Sequence, residues 1–504
     1  MIFGNMSVRD TSVPNRFVSE NVYLKLSADR PPLPAFDVAK KQLPSPFWEG
    51  HTPVIDCYWK AWELAFKILR QPPEGSPLIA NFIDTAFNDA TFMWDSAFMS
   101  MFGRYGHRVF NFQRTLDNFY ARQHRDGFIS RQIKVEDGTE AFERYDLAST
   151  GPNVMPWAEW EYYLNFGDKE RLAKVFPPLV AYAQWFQKFR TWPDGTYFAN
   201  GWGCGMDNQP RLPKGCNHMF EHGHMTWIDT TLQQILSDRL LLKMADELGR
   251  SSEIADLRTE LEMLSQFVNT HLWDDTCGFY FDRFRDGSRS TVKSVGAYWA
   301  LLAEVVSSEN VEKFVNHLTN TREFNRPHRV PSLSADHPDY DPQGGYWRGG
   351  VWAPSNYMVL RGLTHVGKDA LAHEIALNHL QNVTEVFQKT GTVWENYAPE
   401  FAAPGKPAKR DFVGWTGLPP IAVLLEYGFG LRPDATQHAL LWDIRLLESH
   451  GVENYPLGAD TLLNLRCASR KSTDAEPSVE ISANQPVTLT LRWDGEEKTL
   501  HIQP

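Results

Sequence analysis

Hydrophobic positions recur with the period of amphipathic helices from Pro53 to about Phe429, with almost no alternating strand pattern between them. The predicted helices cover residues 54–70, 92–105, 107–123, 152–166, 168–190, 225–248, 250–273, 292–305, 308–318, 352–365, 367–387 and 415–428. Short turns such as Asn165–Asp168 and Leu248–Ser251 join several of them in pairs, which is typical of αα-hairpins. Six hairpins can close into a ring, so the pattern predicts an (α/α)6 barrel.

The longest segments between the predicted helices are rich in aromatic and polar residues. They cover residues 124–151, 191–224, 319–351 and 388–414. Long loops in a compact domain are usually functional or disordered, and these contain too many Trp, Tyr and Phe residues for disorder. We therefore expect them to form a cleft at one end of the barrel.

The pattern changes to short strand-like runs after about Arg432. These runs are 440–444, 478–482, 487–493 and 498–502, the last two separated by the hairpin signal Asp494-Gly495. They predict a small domain resembling a β-sandwich. The first fifty residues, punctuated by prolines, predict an extended arm or strands added to that domain. The expected division is therefore 1–50, 51–430 and 431–504.

Composition narrows the class of protein. A chain of 504 residues with 42% hydrophobic residues can bury a large core. A net charge of −12 without a basic cluster argues against nucleic acid or an anionic membrane as a partner. No signal-peptide pattern or membrane-length apolar run is visible, so a cytoplasmic location is expected. Aromatic surface is compatible with a cleft, a domain interface or a subunit contact, so a homo-oligomer is one alternative.

The five cysteines are odd in number and widely spaced, which favours reduced thiols over a disulfide framework. Cys204 and Cys216 lie close in sequence, but no CxxC spacing or clustered histidine ligands accompany them. No metal site is predicted.

Asp207 is the first candidate for chemistry. It lies in the glycine-rich segment Gly201–Arg211, where glycines permit an unusual backbone. Trp202 and Pro210 can form an apolar wall that raises the pKa of a carboxyl group. The alternative is a tight turn in which Asp207 caps a helix or is solvated.

Glu395, within Trp394–Tyr397, is the second candidate. An inverting glycosidase needs a carboxylic acid and a carboxylate about 6.5–9.5 Å apart, with room for a water molecule. Asp207 and Glu395 are distant in sequence, so only a fold that gathers its loops at one end brings them together. A helix-terminal charge or a rim ion pair is the alternative for Glu395.

Further loop residues suit a sugar pocket. Trp94 and Asp95 open the second predicted helix, while Tyr346, Trp347, Arg348 and Trp352 place a guanidinium between indoles. Charged side chains can bind adjacent hydroxyls while an aromatic face covers the ring. The alternatives are an N-cap role for Asp95 and a structural ion pair for Arg348. Trp415 suits a core or a pocket equally well.

Six short motifs occur in one order along the chain. They are Trp94-Asp95-Ser96, the run from Pro152 to Glu161, the run from Met206 to Arg211, Tyr346-Trp347-Arg348-Gly349 with Val351-Trp352, Trp394 to Tyr397, and Gly414-Trp415-Thr416. This ordered set, over about residues 50–430, resembles the (α/α)6 enzymes of glycoside hydrolase family 63 and the related mannosylglycerate and glucosylglycerate hydrolases. Trehalases are more distantly similar.

The resemblance implies that Asp207 is the general acid and Glu395 the general base. It implies sugar-binding positions at Trp94, Asp95, Arg211, Tyr346, Trp347, Arg348, Trp352, Tyr397 and Trp415. Two segments depart from the family pattern, namely Trp227–Thr231 and the histidine-rich insertion Cys216–His224. Both flank the expected substrate entrance, so the leaving-group preference of relatives does not transfer.

The leading hypothesis is an inverting, exo-acting α-glycosidase for a short α-glucoside or α-mannoside, without a cofactor. A trehalase is the nearest alternative. A sugar epimerase or polysaccharide lyase is another, which His107, His218, His222, His224 and His328 would serve. A non-catalytic carbohydrate-binding barrel is the last.

Overall fold

The computed structural model describes residues 13–85 and 89–504, and its first large unit is mainly helical. We label the helices that correspond to the predicted ones α1–α12. They are Thr52–Lys67 (α1), Met93–Gly103 (α2), Asp117–Tyr120 (α3), Met155–Phe166 (α4), Lys169–Phe189 (α5), Ile228–Leu248 (α6), Ala255–Phe267 (α7), Trp299–Leu302 (α8), Ser308–Val315 (α9), Ala353–His365 (α10), Asp369–Thr390 (α11) and Leu418–Gly428 (α12). The prediction of a mainly helical chain is confirmed.

Six of these helices contact one another in a closed ring. In ring order they are α2, α4, α6, α8, α10 and α12, with α12 returning to α2. Other helices pack against their outer faces, for example α5 against α4 and α6, and α11 against α10 and α12. The residues of α12 are buried on every side, whereas α9 buries only Phe314 and Val315. A helix that is apolar all round belongs inside, and one with a single apolar stripe belongs outside.

The third predicted helix, 107–123, is shorter than expected. The chain forms 3₁₀ turns at Arg104–Gly106 and Phe112–Thr115 before α3. The ring of Phe112 occupies the space that a side chain at Gly103 would need. This close packing folds the chain back over the end of α2, so a continuous helix cannot form.

Two four-stranded sheets follow the helices. Their strands are Ser45–Trp48 (β1), Leu431–Asp434 (β2), Ala439–Asp443 (β3), His450–Leu457 (β4), Thr461–Cys467 (β5), Val479–Ala483 (β6), Val487–Trp493 (β7) and Glu496–Ile502 (β8). One sheet has the order β1-β4-β5-β6 and the other β2-β3-β7-β8. Neighbours are antiparallel except for the parallel pair β3 and β7. The C-terminal sheet region is therefore present, with β1 contributed from before the helices.

Asp494 and Gly495 connect β7 to β8 with φ values of +43° and +88°. Positive φ at both central residues is the geometry of a type I′ hairpin turn, which Asp-Gly sequences favour. Within the described residues, no helix has both the length and the apolar character needed to cross a membrane.

Candidate active site

A cavity of about 280 Å³ lies at the end of the ring where the helices begin. Asp95 lines it from the first turn of α2, and Trp352 and Trp415 line it from just before α10 and α12. Asp207 and Glu395 line the same cavity, so the fold brings the two predicted carboxyl groups together. A larger cavity of about 670 Å³ lies against the C-terminal strands, but its lining contains a single acidic residue, Asp460. Size therefore does not locate the chemistry, whereas the paired carboxyl groups do.

Close backbone packing shapes the loop that carries Asp207. Asn200 caps the short helix Gly201–Cys204 by accepting a hydrogen bond from the backbone of Gly203 at 2.6 Å. A side chain at Gly201 would overlap the backbone carbonyl of Asp207. Gly205 ends the turn with φ of +77°. The glycines thus permit a bend tight enough to turn Asp207 back toward the cavity.

Residues directly after Asp207 anchor the loop to separate parts of the fold. The side-chain amide of Asn208 donates to the carbonyl oxygen of Gly345 at 2.9 Å. Gln209 donates to the carbonyl oxygen of Ser332 at 2.6 Å. Such anchoring holds the neighbouring carboxyl group in one place, as catalysis requires.

The surroundings of Asp207 favour its protonated form. Burial raises the pKa of this carboxyl group, while the positive charges of Arg131 and His218 lower it in part. The net effect is a pKa above the usual range for Asp. A carboxyl group of this kind suits a proton donor.

Glu395 is held by hydrogen bonds to both of its carboxylate oxygens. Oε1 accepts from the phenol of Tyr346 at 3.2 Å, and Oε2 accepts from the backbone N–H of Lys409 at 3.0 Å. Burial raises the pKa of Glu395, whereas Lys409 and Tyr346 lower it and Asp207 raises it further. The net effect is a pKa above the usual range for Glu, and the hydrogen bonds to both oxygens limit this rise in favour of the ionised form that a base needs.

Asp95 is a third carboxyl group in the cavity. Burial raises its pKa to about 8, helped by the negative charges of Glu395 and Asp207 and opposed by Arg131. A short strand pair, Ala90–Phe92 with Gln132–Lys134, places the start of α2 beside Arg131. The backbone of Met93 also donates to the carbonyl of Arg131 at 2.8 Å. At neutral pH Asp95 is therefore mostly protonated and can donate as well as accept a hydrogen bond.

Indole rings form one wall of the cavity. Trp347 and Trp352 stack with centroids 4.1 Å apart and planes 1° from parallel. Trp415 meets Trp352 edge-on at 5.7 Å and donates its indole N–H to the backbone carbonyl of Glu395 at 2.8 Å. Tyr346 meets Trp352 edge-on at 4.9 Å. Trp94 also lines the cavity. Aromatic faces beside hydrogen-bonding groups are typical of a sugar-binding pocket.

The structure does not bring three predicted sugar-binding residues to the cavity lining. Arg211 is buried in ion pairs with Asp229 and Asp282, and its two Nη atoms lie 2.6 Å from a carboxylate oxygen of each. Asp229 lies in the first turn of α6, which places this carboxylate beside the guanidinium. A guanidinium neutralised by two buried carboxylates stabilises the core, and Arg211 lies outside the cavity lining.

Tyr397 and Arg348 lie outside the cavity lining for different reasons. Tyr397 is 1% exposed, and its phenol oxygen accepts from the backbone N–H of Trp394 at 3.1 Å. Arg348 points to the exposed side of its loop and donates to the backbone carbonyl of Asn208 at 3.2 Å. Both therefore support the loops that carry the site rather than line the cavity.

Sequence reasoning missed lining residues that belong to no motif. Arg131, Gln132, Phe142 and Lys409 line the cavity. The guanidinium of Arg131 lies 4.8 Å from the ring centroid of Phe142 and 5.7 Å from that of Trp202. The only available signal was their location in long aromatic loops.

The histidines proposed for an epimerase or lyase lie outside the lining. His222 and His224 pack against Trp192, at centroid distances of 5.0 and 6.2 Å. His107 packs on Phe166, and His328 hydrogen-bonds His379. His218 contributes its backbone carbonyl, which accepts from Gly201 at 2.8 Å. None of these imidazoles lines the cavity, so the epimerase or lyase alternative finds no histidine there to act as acid or base.

Comparisons with known proteins find similar structures and sequences. A structure of the GH63 mannosylglycerate hydrolase from Thermus thermophilus in complex with glucose has a TM-score of 0.59 at 20% identity, over 73% of this chain and 99% of that one. An uncharacterized protein of Borreliella burgdorferi is 23% identical over 369 residues, covering 71% of this chain and 76% of the relative. A probable mannosyl-oligosaccharide glucosidase of Schizosaccharomyces pombe is 24% identical over 282 residues, covering 49% and 34% respectively.

The family description that matches this chain is "Mannosylglycerate hydrolase MGH1-like glycoside hydrolase domain", over residues 89–416. These residues include Asp95, Asp207, Glu395 and Trp415. The matched region spans more than half of the chain and holds all of the cavity lining. The chain therefore belongs to the family of MGH1-like glycoside hydrolase domains and is a glycoside hydrolase.

Proposed function

We propose that this enzyme is an inverting, exo-acting α-glycosidase that cleaves a short α-glucoside or α-mannoside, with Asp207 as general acid and Glu395 as general base. The ring of six helices with its outer layer is, in this proposal, an (α/α)6 barrel. The observation that carries the proposal is the pairing of two carboxyl groups, the buried Glu395 and the half-buried Asp207, in one small aromatic cavity. Their different surroundings suit different protonation states.

In the proposed reaction, Asp207 donates its proton to the glycosidic oxygen as the bond to the anomeric carbon breaks. Glu395 takes a proton from a water molecule that attacks this carbon from the opposite face of the sugar ring. The products are a free sugar of inverted configuration and the protonated leaving group. Asp207 ends ionised and Glu395 protonated, and proton exchange with solvent restores both.

Neighbouring groups support each step. The Tyr346 phenol and the Lys409 N–H stabilise the Glu395 carboxylate before reaction. The positive charge of Arg131 favours the Asp207 carboxylate that remains after proton transfer. The buried indoles of Trp347, Trp352 and Trp415 present apolar surface to the cavity, which suits one face of a sugar ring.

Cavity size and the relatives together support the substrate class. A volume of about 280 Å³ is near the lower end for ligand pockets, which favours one sugar ring with a short leaving group. Similar proteins are named as a mannosyl-oligosaccharide glucosidase and a mannosylglycerate hydrolase. Both names concern glucosyl or mannosyl bonds, so an α-glucoside or α-mannoside is the first substrate to test.

Hydrolysis of trehalose, kojibiose, nigerose, glucosylglycerate and mannosylglycerate by the parent enzyme tests the proposal. We expect turnover of at least one, and a loss of kcat of about 10²–10⁴-fold in Asp207→Asn and in Glu395→Gln. Glu221→Gln, an exposed carboxyl group in the histidine-rich insertion, is the matched control and should keep parental activity. Activity near the parental level in either cavity variant would remove that residue from its role.

A further inference from the structure

Tyr346 occupies a backbone conformation that a residue with a side chain rarely adopts. Its φ is +65°, in the left-handed region, although it is not glycine. Such a residue stays in place only when its surroundings hold it there, and residues of this kind concentrate at functional sites. The contacts that hold Tyr346 are therefore part of the site.

The side chain of Asn208 forms hydrogen bonds with the residues directly before and after Tyr346. Its Nδ2 donates to the carbonyl oxygen of Gly345 at 2.9 Å, and its Oδ1 accepts from the backbone N–H of Trp347 at 2.9 Å. The backbone carbonyl of Asn208 also accepts from Nε of Arg348 at 3.2 Å. One residue thus makes three hydrogen bonds to the segment that contains the strained tyrosine.

The same residue connects the two carboxyl groups of the cavity. Asn208 directly follows Asp207 in the chain. Tyr346, which it brackets, donates its phenol O–H to Oε1 of Glu395 at 3.2 Å. A short path of one peptide bond, two amide hydrogen bonds and one phenol hydrogen bond therefore runs from Asp207 to Glu395.

We propose that Asn208 is a positioning residue, which holds Tyr346 in its left-handed conformation and thereby fixes the separation between Asp207 and Glu395. The inference rests on the roles given to these two carboxyl groups in the proposed function. In an inverting glycosidase this separation decides whether the attacking water fits.

The chemistry of the asparagine side chain suits this role. It carries a donor and an acceptor at a fixed spacing on a short arm, which matches the carbonyl of Gly345 and the N–H of Trp347. An aspartate would keep the acceptor but lose the donor. The next residue, Gln209, uses its amide differently, donating to the carbonyl of Ser332 and accepting from the hydroxyl of Ser294 at 2.8 Å. Gln209 is therefore a comparable buried amide that does not reach Tyr346.

The test is a double-mutant cycle measured with the best substrate of the parent enzyme. Asn208→Ala should lower kcat by about 10²-fold, the cost of a misplaced catalytic group. In the Tyr346→Phe background the same change should lower kcat by at most about tenfold, because the link to Glu395 is already cut and only the anchoring of the Asp207 loop remains to be lost. Asn208→Asp retains the size of the side chain and should also lose kcat, which covers the case in which the alanine variant does not fold.

The acidic limb of the pH profile gives a second readout. The phenol O–H favours the ionised form of Glu395, so losing it should move the limb of kcat/KM to higher pH. Asn208→Ala and Tyr346→Phe should show the same displacement. Loss of stability alone would not move this limb.

Gln209→Ala is the matched control for the loss of two amide hydrogen bonds. It should lower the Tm. Its fold-loss of kcat should combine with that of Tyr346→Phe as the product of the two single effects. The inference is overturned if the kcat losses of Asn208→Ala and Tyr346→Phe simply multiply in the double variant. It is also overturned if Gln209→Ala and Tyr346→Phe depart from this product as strongly as Asn208→Ala and Tyr346→Phe do. Those results leave the proposed function intact, whereas full activity in Asp207→Asn or Glu395→Gln would overturn the function itself.

Discussion

The carboxylate of Glu395 accepts hydrogen bonds from Tyr346 and from the backbone of Lys409, whereas the carboxyl group of Asp207 in the same cavity accepts none from any other described residue. Hydrogen bonds to an ionised carboxylate stabilise it, and burial without them favours the protonated form. Burial raises the pKa of both groups, so the hydrogen bonds to Glu395, and not the direction of the pKa shift, distinguish the two. This difference underlies the assignment of Glu395 as base and Asp207 as acid.

Gly201→Ala should displace Asp207. The added methyl group would overlap the backbone carbonyl of Asp207, so the loop must shift. We expect a loss of kcat of about 10²-fold and a destabilisation of about 1–3 kcal/mol. Steady-state kinetics and urea denaturation measure the two effects.

Gly215→Ala is the control for the Gly201 experiment. Gly215 has φ of +97°, but a Cβ there would meet no atom within 4 Å. Its substitution should cost stability through backbone strain and leave kcat unchanged. Equal losses of kcat in both variants would mean that the overlap with Asp207 is not the cause.

Arg211→Met tests the reassignment of Arg211 from the sugar pocket to the core. Removing its charge leaves Asp229 and Asp282 buried without their cation. The free energy of unfolding should fall by about 3–5 kcal/mol, measured by urea denaturation. KM of the folded fraction should not change.

Arg348→Met is the matched change at an exposed arginine, and it should alter stability by less than about 0.5 kcal/mol. A raised KM without a loss of stability in Arg211→Met would restore Arg211 to substrate binding.

Asp95→Asn should retain most of the activity at pH 7. Asp95 has a pKa of about 8, so it is mostly neutral at pH 7 and an amide reproduces its size and one donor. Asp95→Ala removes both the donor and the acceptor and should lose more kcat/KM. Equal losses in the two variants at pH 7 would show that the ionised form of Asp95 is the working one.

Glu260→Gln should flatten the pH dependence of stability. Glu260 and Asp238 are buried, and burial raises the pKa of Glu260 to about 7 and that of Asp238 well above its usual range. A raised folded pKa means that stability is full below pH 4.5 and falls as the pH rises through about 7.

The glutamine keeps an acceptor for the phenol of Tyr197, which donates to Glu260. It removes the ionisation, which costs the parent at most about 3 kcal/mol over this pH range. Urea denaturation at pH 5, 6 and 7 measures the slope. Glu262→Gln, at an exposed position on the same helix, should keep the parental slope. An unchanged slope in Glu260→Gln would contradict the prediction.

The helices and the two candidate carboxyl groups could be predicted from the sequence because the patterns that indicate them lie within short segments. In α11, for example, the helical period of the apolar residues is visible in the sequence alone, before the partner helices are known. Strand β4 was missed for the opposite reason. His450 to Val452 and Tyr455 to Leu457 are buried consecutively, so the alternation that marks a strand is absent.

The contacts of individual side chains were harder to predict from the sequence than the positions of helices and strands. Arg211 and Arg131 are both arginines in aromatic loops, and only the fold shows that Arg211 meets Asp229 while Arg131 lines the cavity. Lys409 acts through its backbone N–H, which no sequence motif marks. Contacts between distant segments decide such cases.

Proton NMR of the first sugar released from an α-linked substrate tests the central claim most directly. If Asp207 protonates the leaving oxygen while Glu395 activates a water on the opposite face, the β anomer appears first and the α anomer follows only by mutarotation. Initial release of the α anomer would contradict the account, because retention requires a covalent intermediate in place of a water activated by Glu395.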